Sequence, residues 1–138
     1  CHCVTLQEIL KALTEEEKQH LSDEHMPLRH LRAEKGNVKA AIIKCQEAIA
    51  WRRDFDVVTI RDCFNNSNDD DDDEKESSAK KEALKKTIAF ENATGKVYVR
   101  GYTKDGRAAI YLKPGLENSS DEDGQMKHLV YNLERAIA

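Results

Sequence analysis

At 138 residues, with 22 basic against 26 acidic side chains, the chain carries a net charge of −4 and lacks the surplus of Lys and Arg with which a general nucleic-acid binder neutralises phosphates. Charged residues make up 35% of it and its mean hydropathy is −0.74, with neither an apolar run of about eighteen residues nor a signal-peptide core. Four cysteines (Cys1, Cys3, Cys45 and Cys63) in so charged a chain, without a secretory signal, read as reduced thiols of a cytoplasmic protein and not as a disulfide framework.

Val4, Leu6, Ile9, Leu10 and Leu13 predict an amphipathic helix over Val4–Leu13, with Thr5 and Glu8 at capping-box spacing. Thr14 and Glu17 repeat that signal for a second start. Cys1-His2-Cys3, joined by His20, His25 or His30, has ligand chemistry for a metal, but soft ligands come in tighter paired spacings and no metal site is expected. A helix over Glu24–Lys35 follows, with Pro27 tolerated in its first turn. Gly36 stops it, Asn37 caps the next helix, Val38–Arg53, and Val38, Ala41, Ile42, Cys45, Ala48 and Ile49 give that helix a packing stripe. His30 falls on a face expected to be apolar, where a hydrogen bond to backbone would satisfy it. The pair is not a DNA reader: Lys39, Lys44, Gln46 and Glu47 surround the stripe without the basic surroundings of a recognition helix.

Phe55, Val57, Val58 and Ile60 lead through a short helix or turn to Phe64. Asn65 to Ser78 is expected to be disordered, because a block of like charges buries too little surface to offset chain entropy. Its six consecutive acids, Asp69 to Glu74, lack the central Gly and alternation of an EF-hand loop. Ala79–Phe90 reads as a short basic helix whose Lys80, Lys81, Lys85 and Lys86 answer the acidic run.

Beyond Gly95, Val97 and Val99 alternate with Tyr98 and Arg100, Asp105-Gly106 supplies a turn, and Ala108–Leu112 is predicted as a buried strand ended by Pro114-Gly115. A helix over Asp123–Ala138 carries the stripe Met126, Leu129, Val130, Leu133, Ala136 and Ile137, one face of which must be buried. A strand feeding a helix starts an α/β layer without its parallel partner, so the unit reads as unfinished and its stripe as open to water.

The stretch KDGRAAIYLKPG, followed by an acidic linker and GQMKHLVYNLERAI, resembles the beginning of the lipid-binding domain of the CRAL-TRIO family, the phosphatidylinositol-transfer-type proteins. Leu28-Arg29-His30-Leu31-Arg32-Ala33, with Asn37-Val38 opening a helix that runs to Trp51-Arg52, is similar to that family's N-terminal helical region. The resemblance covers Asp23 to Ala138 apart from the acidic insertion. It implies an α/β fold read as an N-terminal fragment: an all-α helical region over 1–64, a disordered acidic insertion over 65–78, and the first strand and helix of an incomplete, truncated lipid-binding domain over 79–138.

By the same resemblance the chain is expected to be a lipid-binding or lipid-transfer protein and not an enzyme. It would enclose a phospholipid such as phosphatidylinositol in a hydrophobic pocket behind a mobile helical gate, and exchange it at membranes as a cytoplasmic, peripherally associating protein. Its partners would be the phospholipid, which is its ligand in place of any cofactor, and a transient membrane surface, with no nucleic acid. Transfer of this kind is desolvation, about 0.8 kcal/mol per CH₂ taken from water. Among phosphatidylinositol-binding members an Arg-Lys pair follows the first helical motif; here Lys35 is retained, as the lipid headgroup-binding residue, and Glu34 replaces the arginine. Phosphatidylcholine-binding members place tyrosines near Val99 and Ile110, so choline recognition is not implied. Asp105-Gly106-Arg107 matches the family's turn, with Arg107 assigned to pinning a loop or helix end. No catalytic residue is expected: no Ser or Cys has a His at motif spacing, and no Gly-rich loop forms a phosphate cradle. The competing class is a protein-interaction or regulatory module with a CRAL-TRIO-like lobe.

Overall fold

The computed structural model describes residues 2–65 and 75–137, and the chain divides into two compact units, Cys1–Val58 and Thr59–Ala138. The first unit is built from helices α1 (His2–Ala12), α2 (Glu15–Gln19), α3 (Met26–Ala33) and α4 (Val38–Asp54). The capping box at Thr14 forms in full. Thr14 Oγ1 accepts the Glu17 N–H at 3.1 Å, and the Glu17 carboxylate accepts the Thr14 N–H at 2.7 Å, satisfying two donors that the start of α2 would otherwise leave unpaired. The box expected at Thr5 does not form a helix start, because α1 begins at His2 and places Thr5 inside it.

Pro27 lies in the first turn of α3, as anticipated, and Asn37 caps α4 by accepting the Ala40 N–H at 3.2 Å. The stop between them is shared by two residues. Lys35 (φ 52°) and Gly36 (φ 88°) both turn left-handed, and the Gly36 N–H reaches back to the Leu31 carbonyl at 2.9 Å. The predicted α4 stripe is the spine of this unit. Cys45 and Ile49 pack with Leu13 and Met26, and Ala41 with Ile9 and Leu31, each large aliphatic side chain contributing about 1.5–3 kcal/mol when fully buried. Arg52, buried at the far end of α4, donates from Nε to the carbonyl of His20, the residue that closes α2, at 2.8 Å. The His30 imidazole is half-buried but makes no hydrogen bond among the described residues, so the bond from ring to backbone expected for it is absent; desolvation, with Arg29 beside it, holds its pKa below the usual imidazole value.

Helix α5 (Val57–Asp62) spans the junction between the units. The second unit continues with α6 (Lys75–Asn92), strands β1 (Val97–Tyr102) and β2 (Ala108–Leu112), a 3-10 turn at Pro114–Leu116, and α7 (Glu122–Ile137). Of the disordered insertion expected over 65–78, residues 66–74 lie outside the described residues, while Lys75–Ser78 are helical: α6 begins four residues before the predicted Ala79, because Lys75 and Glu76 are good helix formers. The alternating segment before the turn is a full strand. β1 and β2 form an antiparallel hairpin in the register Val97↔Leu112, Tyr98↔Tyr111 and Val99↔Ile110, which shifts before Tyr102↔Ala108, where Gly101 takes a φ of 72°.

Two expectations for this hairpin are corrected. Ala108–Leu112 is not a buried strand: it is half-buried to Ile110 and exposed at Tyr111 and Leu112, since β1 is its sole strand neighbour among the described residues. Nor does Arg107 pin a loop. Its side chain is exposed and makes no hydrogen bond or ion pair among the described residues, while the turn is closed by the Thr103 N–H to the Arg107 carbonyl at 2.8 Å and by Gly106 (φ 77°) to the Thr103 carbonyl at 2.9 Å. The architecture is thus a helical N-terminal region followed by an α/β unit in which α6 and α7 accompany a two-stranded antiparallel hairpin.

Candidate functional site

Lys35 is exposed on the turn between α3 and α4. The backbone amides around it are spent on closing the helix: Lys35 donates to the Arg32 carbonyl at 3.1 Å, Gly36 to Leu31 at 2.9 Å and Asn37 to Glu34 at 2.9 Å. The turn therefore offers an anion no nest of N–H groups, only side-chain charge. Arg32 and Lys39, also exposed, flank Lys35 in sequence, and none of the three has an ion-pair partner among the described residues. Arg29 is committed elsewhere. Its two terminal nitrogens grip the Asp23 carboxylate at 2.9 Å each, and that bond holds the Asp23 pKa below the usual carboxylate range. Glu34, the sequence neighbour of Lys35, is half-buried.

In the second unit, a polar cluster, buried at Lys96 and Glu91 and exposed at Glu117, joins the end of α6, the start of β1, the segment after β2 and α7. Lys96 is 4% exposed and its ammonium is hydrogen-bonded to both Glu91, 1% exposed, and Glu117. Burial works against the Lys96 charge, but the bonds to Glu117 and Glu91 together outweigh it and raise its pKa. Glu117 is lowered in turn, first by its bond to Lys96, and it also accepts the backbone N–H groups of Asn118 and Ser119 at 2.9 and 3.0 Å. Asn118 ties the same segment to α6 by donating to the Phe90 carbonyl at 2.9 Å.

His128 lies just behind this cluster, 1% exposed, 3.1 Å from the Asn92 side-chain oxygen. An oxygen there can only accept, so the imidazole proton sits on Nε2. Desolvation, and then the Lys96 charge, hold His128 below the ordinary imidazole pKa. These residues carried no signal in the sequence. They are 5, 21 and 36 positions apart, at no motif spacing, and only the fold brings them together.

The stripe assigned to α7 is only partly inward. Val130 is buried, but Met126, Leu133 and Ile137 are 46%, 42% and 45% exposed, and the helix buries Gly124, His128, Asn132 and Glu134 instead. Leu112 and Leu116 add exposed apolar surface from the hairpin end and the turn after it. Val99 and Ile110, singled out for headgroup tyrosines, are cross-strand neighbours and half-buried. Cys45 and Cys63 are buried free thiols whose pKa values burial pushes up, which suits core packing and not nucleophilic chemistry. Among the described residues no group of His, Cys, Asp and Glu could hold a metal ion; the Cys1 and Cys3 side chains lie outside them.

Comparison with known proteins gives three findings. Residues 92–138, from the last residue of α6 through the hairpin and α7, match the CRAL/TRIO domain. The chain is 34% identical over 143 residues to a CRAL-TRIO domain-containing protein of Schizosaccharomyces pombe, and 31% identical over 127 residues to the phosphatidylinositol transfer protein PDR17 of Saccharomyces cerevisiae. Those alignments take in 99% and 91% of this chain but span 12% and 31% of the two relatives. No solved structure matches.

Proposed function

We propose that this chain, which belongs to the CRAL-TRIO family, is part of a lipid-transfer protein that takes up a phospholipid such as phosphatidylinositol and exchanges it at membrane surfaces without making or breaking a bond. One structural observation carries the proposal. The segment that matches the family exposes a run of apolar side chains, Met126, Leu133 and Ile137 on α7 with Leu112 and Leu116 beside the hairpin, in a chain whose mean hydropathy is −0.74. Large apolar side chains left exposed in one segment are suited to meet other apolar matter, whether protein wall or acyl chain. The name of the yeast relative supports phosphatidylinositol as the first ligand to test.

Lys35 is proposed as an anionic headgroup contact, with Arg32 and Lys39 adding to the local positive field. Each cation near an anionic surface is worth about 1 kcal/mol, and Glu34 works against them. A cytoplasmic setting is consistent with two unpaired buried thiols. Among the described residues no helix is long and apolar enough to cross a membrane, so a membrane encounter through these helices would be peripheral.

Lipid extraction and mass spectrometry of the full-length protein purified from cells tests the proposal, with Glu34→Arg and Lys35→Ala alongside. Stoichiometric phospholipid is expected, with phosphatidylinositol enriched by Glu34→Arg and depleted by Lys35→Ala. A full-length protein that purifies free of lipid and takes none from vesicles would favour the interaction-module reading. Equal loading of all three proteins would remove Lys35 from the site.

A further inference from the structure

A cleft of about 570 Å³ opens in the second unit between α6, β1 and α7. Small-molecule sites occupy about 300–1,000 Å³. Ile88, 1% exposed, lines it with the rings of Phe64, Tyr131 and Tyr98; Phe64 and Tyr131 meet edge to face at 5.4 Å between centroids, and Tyr98 is stacked at 4.9 Å on Tyr111, which lies outside the lining. Rings braced in this way lose little rotamer freedom when a flat ligand enters, and their faces and edges favour another ring over a flexible acyl chain.

Two polar side chains on α7 give the cleft chemical direction. Asn132 is 5% exposed, and its amide nitrogen donates to the His128 carbonyl at 2.9 Å, which fixes the side chain. Its Oδ1 accepts no hydrogen bond among the described residues and is not one of their buried, unpartnered atoms, so it remains open to solvent as an acceptor that an N–H or O–H of a ligand can meet. Arg135, one turn further along, lies over the Tyr131 ring, with Cζ 5.6 Å from the centroid, and donates to the Tyr131 hydroxyl at 3.0 Å. No carboxylate pairs with it among the described residues. A braced guanidinium with free donors is suited to a carboxylate, sulfonate or phosphate.

We infer that this cleft binds a small aromatic anion that also carries a ring N–H or O–H: the ring lies over Ile88 between the tyrosines, its donor meets Asn132 Oδ1, and its acidic group meets Arg135. The inference does not rest on the phospholipid reading, which concerns a larger, apolar ligand and a different set of residues.

Three commercially simple probes separate its parts by saturation-transfer NMR: indole-2-carboxylate, indole, which lacks the anion, and 1-methylindole-2-carboxylate, which lacks the donor. Wild type should bind the first about two- to fivefold more tightly than either of the others, the size expected for exposed charge pairing and one neutral hydrogen bond. Arg135→Gln should erase the advantage over indole and Arg135→Lys should keep part of it. Asn132→Leu should erase the advantage over the methylated probe. Because Asn132 is buried, circular dichroism accompanies that variant; Arg135 is exposed and its arm stands without it. Lys104→Ser, in the exposed turn between β1 and β2 and outside the cleft lining, should leave all three probes unchanged. Equal affinity of wild type for the three probes, an anion preference that survives Arg135→Gln, binding lost in Lys104→Ser, or no transfer to any probe would each overturn the site.

Discussion

Replacing Lys96 by methionine removes the cation that two carboxylates share and leaves Glu91, 1% exposed, beside Glu117 with no positive charge between them. Breaking a buried ion pair from one side costs about 3–5 kcal/mol, because the remaining charge stays desolvated and unpaired. Against a typical domain stability of about 5–15 kcal/mol that is a large fraction. Urea titration should therefore show a clear fall in the unfolding midpoint of the second unit. Adding Glu91→Leu to Lys96→Met should restore most of the loss, since an apolar pair of similar volume is often as stable as a buried ion pair. The pH dependence follows from the two shifts. Folding raises Lys96, so its contribution is complete below the unfolded lysine pKa of about 10.4 and is lost as pH rises through the folded value. Folding lowers Glu117, so its contribution is present above the unfolded carboxylate pKa of about 4.3 and is lost as pH falls through the folded value. The difference between wild type and Lys96→Met should then be broadest on that plateau and narrow at both ends. A loss below about 1 kcal/mol at neutral pH, the size of a solvent-exposed pair, would refute the burial on which the cluster rests.

Other substitutions test single features. Lys35→Gly should stabilise the first unit by about 1 kcal/mol in urea titration, because glycine adopts the φ of 52° without the Cβ penalty, whereas Lys35→Ala should give no such gain although it removes the same charge. Gly124→Leu should destabilise by about 1–3 kcal/mol by thermal melting: even a Cβ at this position would come 3.1 Å from the Thr87 methyl and 2.7 Å from an Asp121 carboxylate oxygen. Because folding lowers the His128 pKa, its contribution to stability is complete above the unfolded value of about 6.5 and is lost as pH falls through the folded one. His128→Gln should accordingly flatten the fall in stability between neutral and mildly acidic pH.

The first unit was largely legible because its determinants are local. A cap, a stop and a stripe each act within about one or two helical turns, so Thr14 with Glu17, Asn37, and the line Ala41, Cys45 and Ile49 can be read without knowing what they touch. The same locality explains the miss at Thr5. A capping-box pattern says where a helix can start, and the competing start at His2 lets Thr5 join the helix instead. At the turn after α3 the pattern located the stop but not its geometry, since nothing in the sequence announces that a lysine will share the left-handed conformation with Gly36.

In α7 the limits of periodicity are physical. A period of 3.6 residues shows that Met126, Leu129, Val130, Leu133 and Ile137 share a side of the helix, yet it carries no information about what lies opposite. Burial is decided by partners. Here the side offered to α6 and the hairpin is polar and small: Gly124 allows close approach to Thr87, His128 meets Asn92, and Asn132 folds back on the His128 carbonyl. Polar groups can be buried this way when they are hydrogen-bonded: Asn132 by a carbonyl one turn back in its own helix, and His128 by Asn92, 36 positions away, a pairing that exists only after folding. Met126, Leu133 and Ile137 of the apolar stripe are thereby left outward, within the segment that matches the CRAL/TRIO domain. The helix is thus held by its polar side, through contacts that the sequence hid, and presents the apolar side that the sequence announced.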